Sequence, residues 1–137
     1  MSERTLLLLK PDAVRRGLVG EILARYERKG FTIKAMALRT IDAAMADAHY
    51  AEHVEQPWYP PLRDFVCSGP LVAAVLEGDQ VIEVVRQMNG ATDARKAAPG
   101  TIRGDLALSN RENLVHGSDS PEAAEREIGL WFPDLDG

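Results

Sequence analysis

The sequence predicts an α/β fold in which one four-stranded antiparallel sheet is covered by helices. Four short apolar runs have the composition of strands, and the segments between them carry apolar residues at helical spacing. The two types follow one another as β-α-β-α-α-β-α-loop-β-α, which is the split βαβ pattern with additional helices. This order indicates a ferredoxin-like sandwich. Since 137 residues suffice for one such domain and not for two, we expect a single domain over residues 1–137.

The first strand is predicted at residues 5–9, where a threonine and four leucines form a continuous apolar run. Such runs are typical of strands buried on both faces. Residues 18–29 have the apolar spacing of an amphipathic helix, and Gly30 predicts its end. Residues 31–38 alternate between apolar and polar side chains, which predicts a second strand.

The middle of the chain predicts two more helices before the third strand. An alanine-rich helix is expected at residues 42–53 with Asp42 as its N-cap. Prolines are expected to break the chain before a short helix at residues 62–66; they are Pro57, Pro60 and Pro61. Residues 71–76 predict a third buried strand, and residues 78–89 predict a further helix.

The last third begins with a stretch that has little periodicity. Residues 91–112 are rich in Gly, Pro, Thr and Asp, and a loop of about twenty residues inside a small domain is usually functional. A fourth strand is predicted at residues 113–116 and a last helix at residues 121–131. Ser120 and Pro121 have the residue types that begin a helix.

Composition narrows the class of protein. Apolar residues make up 45% of the chain and charged residues 27%, which is typical of globular domains. The formal charge of −5 argues against non-specific binding to nucleic acid, although it permits a local basic pocket. The apolar run at residues 5–9 is too short for a signal peptide or a membrane span, so we expect no membrane association. Cys67 is the only cysteine, which favours a reducing cytoplasm.

The candidate reactive residue is His116. It ends a short apolar run and is followed by Gly117 and by small polar residues that include Ser118, as expected for a side chain presented at the end of a strand. An imidazole can attack phosphorus when one ring nitrogen is unprotonated and a neighbour fixes the ring. A helix that begins just after this histidine would favour anions beside it.

Three separated motifs give the sequence a family resemblance. They are Lys10-Pro11-Asp12, the segment Pro-Gly-Thr-Ile-Arg-Gly-Asp at residues 99–105, and the segment around His116 at residues 113–120. In this order they resemble the nucleoside diphosphate kinases of bacterial type, and the resemblance extends from about Thr5 to Phe132. It implies the same ferredoxin-like fold.

The resemblance also implies roles for individual residues. His116 is the implied nucleophile, and Glu127 the glutamate that orients its ring. The implied phosphate ligands are Lys10, Arg86, Thr92 and Arg103. The implied sugar and base contacts are Asn113, Trp58 and Leu62, and Trp58 stands where the family generally has phenylalanine. Tyr50 is implied to support the histidine, and Asp119 to reach a metal ion through water.

The reaction implied is a ping-pong transfer. A nucleoside triphosphate, chiefly ATP, would give its γ-phosphate to His116, and a nucleoside diphosphate would then take the phosphate in the same site. Mg²⁺ is the implied cofactor, because it binds polyphosphate with few direct protein ligands. A base held mainly by stacking is poorly discriminated, so we expect broad base specificity, as suits an enzyme that maintains the NTP and dNTP pools.

The sequence departs from the family pattern in a few places, and it leaves the assembly open. Asp93-Ala94 replaces a common Asn-Pro and so removes a rigid turn. Ala13 stands where the family frequently has glycine, and Gln56 stands where some relatives have arginine. The resemblance implies a homo-oligomer. The loop at residues 99–101 resembles that of the hexameric relatives, so a hexamer is expected, with a tetramer as the alternative. The preferred nucleotide pair and any further regulatory role stay open.

Two functions of other classes compete with this interpretation. A ferredoxin-like module for single-stranded nucleic acid would need exposed aromatic residues on its sheet and a basic face, and the few aromatic residues and the acidic charge balance speak against it. A catalytically inactive relative that serves as a scaffold is disfavoured by the intact histidine and phosphate-ligand set.

Overall fold

The computed structural model describes residues 2–135. The single domain was predicted over residues 1–137, of which Met1 and residues 136–137 lie outside the described part. The strands are β1 (Ser2–Leu9), β2 (Thr32–Arg39), β3 (Leu71–Asp79) and β4 (Val115–Gly117). The helices are α1 (Pro11–Arg15), α2 (Val19–Lys29), α3 (Ala43–His49), α4 (Tyr59–Val66), α5 (Val81–Asn89), α6 (Ile102–Leu106) and α7 (Pro121–Trp131), with a 3-10 helix at Ala94–Lys96.

The four strands form one antiparallel sheet in the order β2-β3-β1-β4, which confirms the predicted ferredoxin-like class. The leucines of β1 alternate between the two faces of the sheet. Leu7 and Leu9 pack on the side of α2 and α5, while Leu6 and Leu8 pack on the side of α3, α4 and α7. The prediction that β1 is buried on both faces is therefore confirmed, and both faces carry an apolar core.

Several predicted boundaries were wrong for identifiable reasons. The helix predicted at residues 42–53 ends at His49, after a start that Asp42 caps by accepting a hydrogen bond from the Met45 amide. The short helix predicted at residues 62–66 begins at Tyr59 with two prolines in its first turn, where the missing N–H would have no partner in the helix. The prediction of a break at those prolines was wrong.

Two more corrections bear on strands and glycines. Gly78, predicted to begin a helix, pairs with Glu3 inside β3. The Phe31 ring covers this glycine, since a Cβ at Gly78 would lie 2.4 Å from its Cδ1 atom. The short helix α1 was not predicted; it begins directly at Pro11 after the first strand.

The predicted loop at residues 91–112 is partly helical. Asp93 caps the 3-10 helix, accepting a hydrogen bond from the Arg95 amide and binding the Arg95 guanidinium. Thr101 caps α6 by accepting from the Gly104 amide. Arg103 is consequently a helix residue, which corrects its predicted position in a loop.

The fourth strand also differs from its prediction of residues 113–116, since it starts at Val115. Leu114 has a φ of 75°, which takes the chain out of the extended conformation. Ser120 caps α7 by accepting from the Ala123 amide, and the helix extends over the predicted residues 121–131. In the part of the chain that the structure describes, no helix is long and apolar enough to cross a bilayer.

Candidate active site

One large cavity brings together most of the residues singled out in the sequence. It has a volume of about 910 Å³, within the range of small-molecule sites. The predicted residues that line it are Lys10, Tyr50, Trp58, Leu62, Arg86, Thr92, Arg103, Asn113, His116, Asp119 and Glu127. Ser118 does not line it. Instead this serine is fully buried behind the histidine, where it contacts Glu127.

The cavity is cationic although the chain is acidic overall. Six basic side chains line it, against three carboxylates; the basic ones are Lys10, Arg86, Arg95, Arg103, Arg111 and Arg126, and the acidic ones are Glu52, Asp119 and Glu127. Low-dielectric walls concentrate the field of such a cluster. The cavity therefore suits an anionic ligand that carries several charges.

His116 is the middle residue of β4, where it pairs with Leu8 of the neighbouring strand β1. Its Nε2 atom is 2.9 Å from Glu127 Oε1 on α7. An ionised carboxylate can only accept, so this contact puts the ring proton on Nε2 and leaves the Nδ1 lone pair unprotonated in the neutral ring. The imidazole is thus prepared to act as a nucleophile through Nδ1.

Glu127 is itself held in place by buried contacts. The Ser118 hydroxyl donates to the same Oε1 atom at 2.7 Å and accepts from the Leu6 amide at 3.1 Å. Burial alone would raise the pKa of the Glu127 carboxyl, but the hydrogen bonds from His116 and Ser118 outweigh burial and leave that pKa below its usual value. The carboxylate therefore stays ionised and keeps its orientation toward the histidine ring.

His49 is a neighbour of His116 that the sequence prediction missed. The two rings are 4.7 Å apart in an edge-to-face arrangement, and His49 is almost fully buried. The Trp131 indole N–H donates to His49 Nδ1 at 3.0 Å. Burial and the neighbouring His116 lower the pKa of His49 to about 3, so it is neutral at ordinary pH. A histidine directly before Tyr50 was the available signal in the sequence.

A ring nitrogen of each histidine and a carboxylate oxygen of Glu127 lie within 4.8 Å of one another. These donors resemble those of a zinc site more than those of a magnesium site. However, His49 Nδ1 already accepts from Trp131, and Glu127 already accepts from His116. We assign this group to hydrogen bonding and not to a metal ion.

Asn113 and Lys10 form a second buried contact at the cavity. The Lys10 ammonium donates to Asn113 Oδ1 at 2.8 Å, and the Asn113 amide donates to the carbonyls of Thr92 and Asn110. Burial, aided by the charge of Arg103 and opposed by that of Asp12, lowers the pKa of Lys10 to about 8. The asparagine thus fixes the lysine and ties strand β1 to the segment at residues 91–112.

Arg103 is built into the backbone around the histidine strand. It donates from Nε to the Asn113 carbonyl at 3.3 Å, from Nη1 to the Gly90 carbonyl at 2.8 Å and from Nη2 to the Val115 carbonyl at 2.6 Å. Burial lowers its pKa from the usual arginine value. Arg86 differs, because its side chain is exposed and has no hydrogen bond or ion pair to the residues that the structure describes.

The turn between Asn113 and Val115 is strained. Leu114 combines a φ of 75° with complete burial, and the Val115 amide donates to the Asn113 carbonyl two residues earlier at 2.9 Å. These features define the positive-φ form of the γ-turn, which is rare for residues with a side chain. Backbone strain of this kind persists only where the surroundings enforce it.

Trp58 and Leu62 are apolar residues that line the cavity. The Trp58 side chain is half exposed, and its ring is 5.1 Å from that of His53. Leu108 lines the same cavity with 83% of its surface exposed, and it was not predicted as a site residue. Exposed apolar side chains at a cavity mouth favour a flat apolar group in the ligand.

Comparison with known proteins decides the family. The family described as "Nucleoside diphosphate kinase" matches residues 3–136 of this chain. The chain belongs to the nucleoside diphosphate kinase family. A nucleoside diphosphate kinase from Nocardioides sp. is 77% identical over 135 residues, which cover 98% of this chain and all of that relative. One from Mycobacteroides abscessus is 63% identical over 136 residues, again covering 98% and 100%.

Solved structures of the family agree with the fold. The nucleoside diphosphate kinase of Halobacterium salinarum in complex with CDP superimposes with a TM-score of 0.95 at 48% identity, covering 98% of this chain and 90% of that one. A nucleoside diphosphate kinase from Encephalitozoon cuniculi gives a TM-score of 0.94 at 36% identity, covering 96% and 90%. The alternative of a nucleic-acid module required exposed aromatic residues on the sheet, and strands β1 to β4 contain no Phe, Tyr or Trp.

The burial of Lys10 yields a measurable prediction. Its ammonium group should lose its proton near pH 8, as followed by NMR of the side-chain methylene next to the nitrogen, with Lys10→Met to assign the signal. Pyrophosphate should raise this pKa by adding negative charge to the cavity. The folded state binds this proton more weakly than the unfolded chain does, so the charged Lys10 lowers the free energy of unfolding below pH 8. This loss of stability decreases as the pH rises from 8 and disappears toward pH 10.5. A titration at the ordinary value would contradict the buried pairing.

Proposed function

We propose that this chain transfers the γ-phosphate of a nucleoside triphosphate, chiefly ATP, to nucleoside diphosphates through a phosphohistidine on His116, and so maintains the NTP and dNTP pools. One observation carries the proposal. Glu127 accepts from His116 Nε2 and thereby leaves Nδ1 unprotonated beside a cationic cavity. Family membership supports the same activity.

The first half-reaction forms the phosphohistidine. The Nδ1 lone pair attacks the γ-phosphorus, the bond from phosphorus to the β–γ bridging oxygen breaks, and the nucleoside diphosphate leaves with that electron pair. Glu127 stabilises the positive charge that develops on the ring. In the second half-reaction a terminal phosphate oxygen of another nucleoside diphosphate attacks the same phosphorus, and the Nδ1–P bond breaks. The contacts are the same in both halves, so the transfer is reversible.

Four residues are proposed to hold the polyphosphate; they are Lys10, Arg86, Thr92 and Arg103. The exposed guanidinium of Arg86 can approach a phosphate freely, whereas Arg103 is fixed by three carbonyl groups and offers preorganised charge. Asn113 and Lys10 are proposed to contact the sugar, and Tyr50 to support the histidine and the transferring phosphate.

The donor chemistry of the cavity fits Mg²⁺ bound chiefly by the substrate. Asp119 is an exposed carboxylate of the cavity, and the phosphates would supply the other oxygen ligands. When bound, the ion neutralises polyphosphate charge. We propose that Asp119 reaches the ion through water.

We also propose that the chain acts in the cytoplasm. The support for this location is that Cys67 is the only cysteine of the sequence.

The nucleophile can be tested directly. After incubation with γ-labelled ATP, the wild-type protein should carry label that is stable in base and lost in acid, and His116→Ala should carry none because the reacting nitrogen is gone. The variant should still bind nucleotide, since the cations remain. His53→Ala serves as the matched control, because His53 lines the cavity without contacting Glu127, and it should keep the label. Labelling of His116→Ala near the wild-type amount would remove His116 from the mechanism.

The base contact can be tested at Trp58. Trp58→Ala should weaken the binding of purine and pyrimidine diphosphates by a similar factor, equivalent to about 1–3 kcal/mol, because every base has a stacking face. Isothermal titration calorimetry measures this, and inorganic tripolyphosphate, which has no base, is the control ligand whose affinity should not change. A loss confined to one base would indicate recognition through base edges.

We propose a homo-oligomer, and specifically a hexamer. Two exposed surfaces support association. One is the segment around Pro99, and the other is formed by the apolar residues Met36 and Leu38 on the edge strand β2, which are 56% and 66% exposed.

The oligomeric state can be tested by light scattering of the purified protein, which should give the mass of six chains. Pro99→Ser should lower the Tm more than it lowers the activity at moderate temperature. A monomer or a dimer at micromolar concentration would contradict the hexamer, whereas a tetramer would overturn only this arrangement and leave the proposed chemistry unchanged.

A further inference from the structure

The carboxylate of Asp12 contacts the backbone of the strained turn. Asp12 lies in the first turn of α1 and is 3% exposed. Its Oδ2 atom accepts from the Leu114 amide at 3.1 Å, across 102 positions of sequence. The Lys10 amide donates to the Leu114 carbonyl at 2.8 Å. Both backbone polar groups of Leu114 are therefore bound by the segment that follows β1.

Leu114 needs such contacts because its backbone conformation is unfavourable for a residue with a side chain. A leucine at a φ of 75° would relax toward an extended conformation if its amide were free. Relaxation would continue β4 backward through Leu114 and displace its neighbours on both sides. Asn113, on one side, binds the Lys10 ammonium, while His116 follows two residues later on the other side.

We propose that Asp12 is a positioning residue for phosphoryl transfer: its carboxylate oxygen holds the γ-turn at Leu114 and so sets the positions of both Asn113 and His116. This inference rests on the proposed function. It concerns geometry, since Asp12 does not line the cavity and has no contact with the ligand space.

Charge is the competing explanation for Asp12. Its second oxygen, Oδ1, is buried and lacks a hydrogen-bond partner among the described residues, while Lys10 is a nearby cation. If Asp12 served only to balance Lys10, the negative charge would matter and the acceptor atom would not. Asparagine separates the two roles because its amide oxygen can still accept from the Leu114 amide without carrying charge.

The first comparison uses Asp12→Asn and Asp12→Ala in the full-length protein. The rate of His116 phosphorylation by ATP in a single turnover should fall about tenfold to a hundredfold in Asp12→Ala, since misplacing a reacting group costs rates of that order. Asp12→Asn should stay within about threefold of wild type, because it keeps the acceptor. Equal losses in both variants would overturn the positioning role in favour of charge, and an unchanged rate in Asp12→Ala would overturn it outright.

The second comparison separates geometry from stability. Glycine adopts a positive φ without strain, so Leu114→Gly should make the turn independent of Asp12. The same change removes a fully buried side chain and lowers the Tm. Asp12→Ala should therefore reduce the phosphorylation rate much less in the Leu114→Gly background than in wild type, although the double variant is less stable. An equal reduction in both backgrounds would overturn the proposal.

Two further readouts keep the outcome clear. If Asp12→Ala alone does not fold, the rates of Leu114→Gly with and without Asp12→Ala are compared, and a large loss on adding Asp12→Ala overturns the proposal. The wild-type protein reports on the proposed function separately. If it forms no phosphohistidine, the proposed function fails; if it does and Asp12→Ala matches it, only the positioning role fails.

Discussion

The candidate active site depends on one constraint, the γ-turn that connects Asn113 to Val115. Arg103 donates hydrogen bonds to the carbonyls of both residues, and the Asp12 carboxylate accepts a hydrogen bond from the amide of Leu114 between them. The turn directs Asn113 toward Lys10 and lets the chain enter β4 so that His116 pairs beside the central strand. A cation proposed to bind phosphate is thus part of the support of the nucleophile itself. Such shared contacts are how a rigid scaffold holds reacting groups in place.

Electrostatics act on two scales in this site. Within the cavity, basic side chains outnumber carboxylates even though the chain carries a net charge of −5, so a polyanion is attracted locally. At the histidine, one buried carboxylate decides which ring nitrogen is free. Glu127 can do this because the Ser118 hydroxyl, which itself accepts a hydrogen bond from the Leu6 amide, donates to the Glu127 oxygen and fixes it in a buried position. The carboxylate therefore contributes by orienting the histidine ring and by its negative charge.

Sequence patterns predicted the fold class, and the family resemblance named many of the residues that line the cavity, but neither predicted the contacts that hold those residues in place. The leucines at residues 5–9 identified the central strand because buried strands are continuously apolar, and the caps at Asp42 and Ser120 located two helix starts. The position of Arg103 on α6 was missed, because a five-residue helix has too little apolar periodicity to detect. The backbone contacts of Asp12 and Ser118 were also missed, since they join residues more than a hundred positions apart.

The mechanism depends on Glu127, which leaves Nδ1 of His116 as the nucleophilic atom. The most direct measurement is heteronuclear NMR of the protein labelled with ¹⁵N in its histidines, recorded after phosphorylation by ATP at alkaline pH, where phosphohistidine persists. Coupling between phosphorus and a ring nitrogen identifies the phosphorylated atom. The structure requires that this atom be Nδ1 of His116, with the proton retained on Nε2. Phosphorus on Nε2, or on the ring of another histidine, would show that Glu127 does not determine the nucleophilic nitrogen of His116.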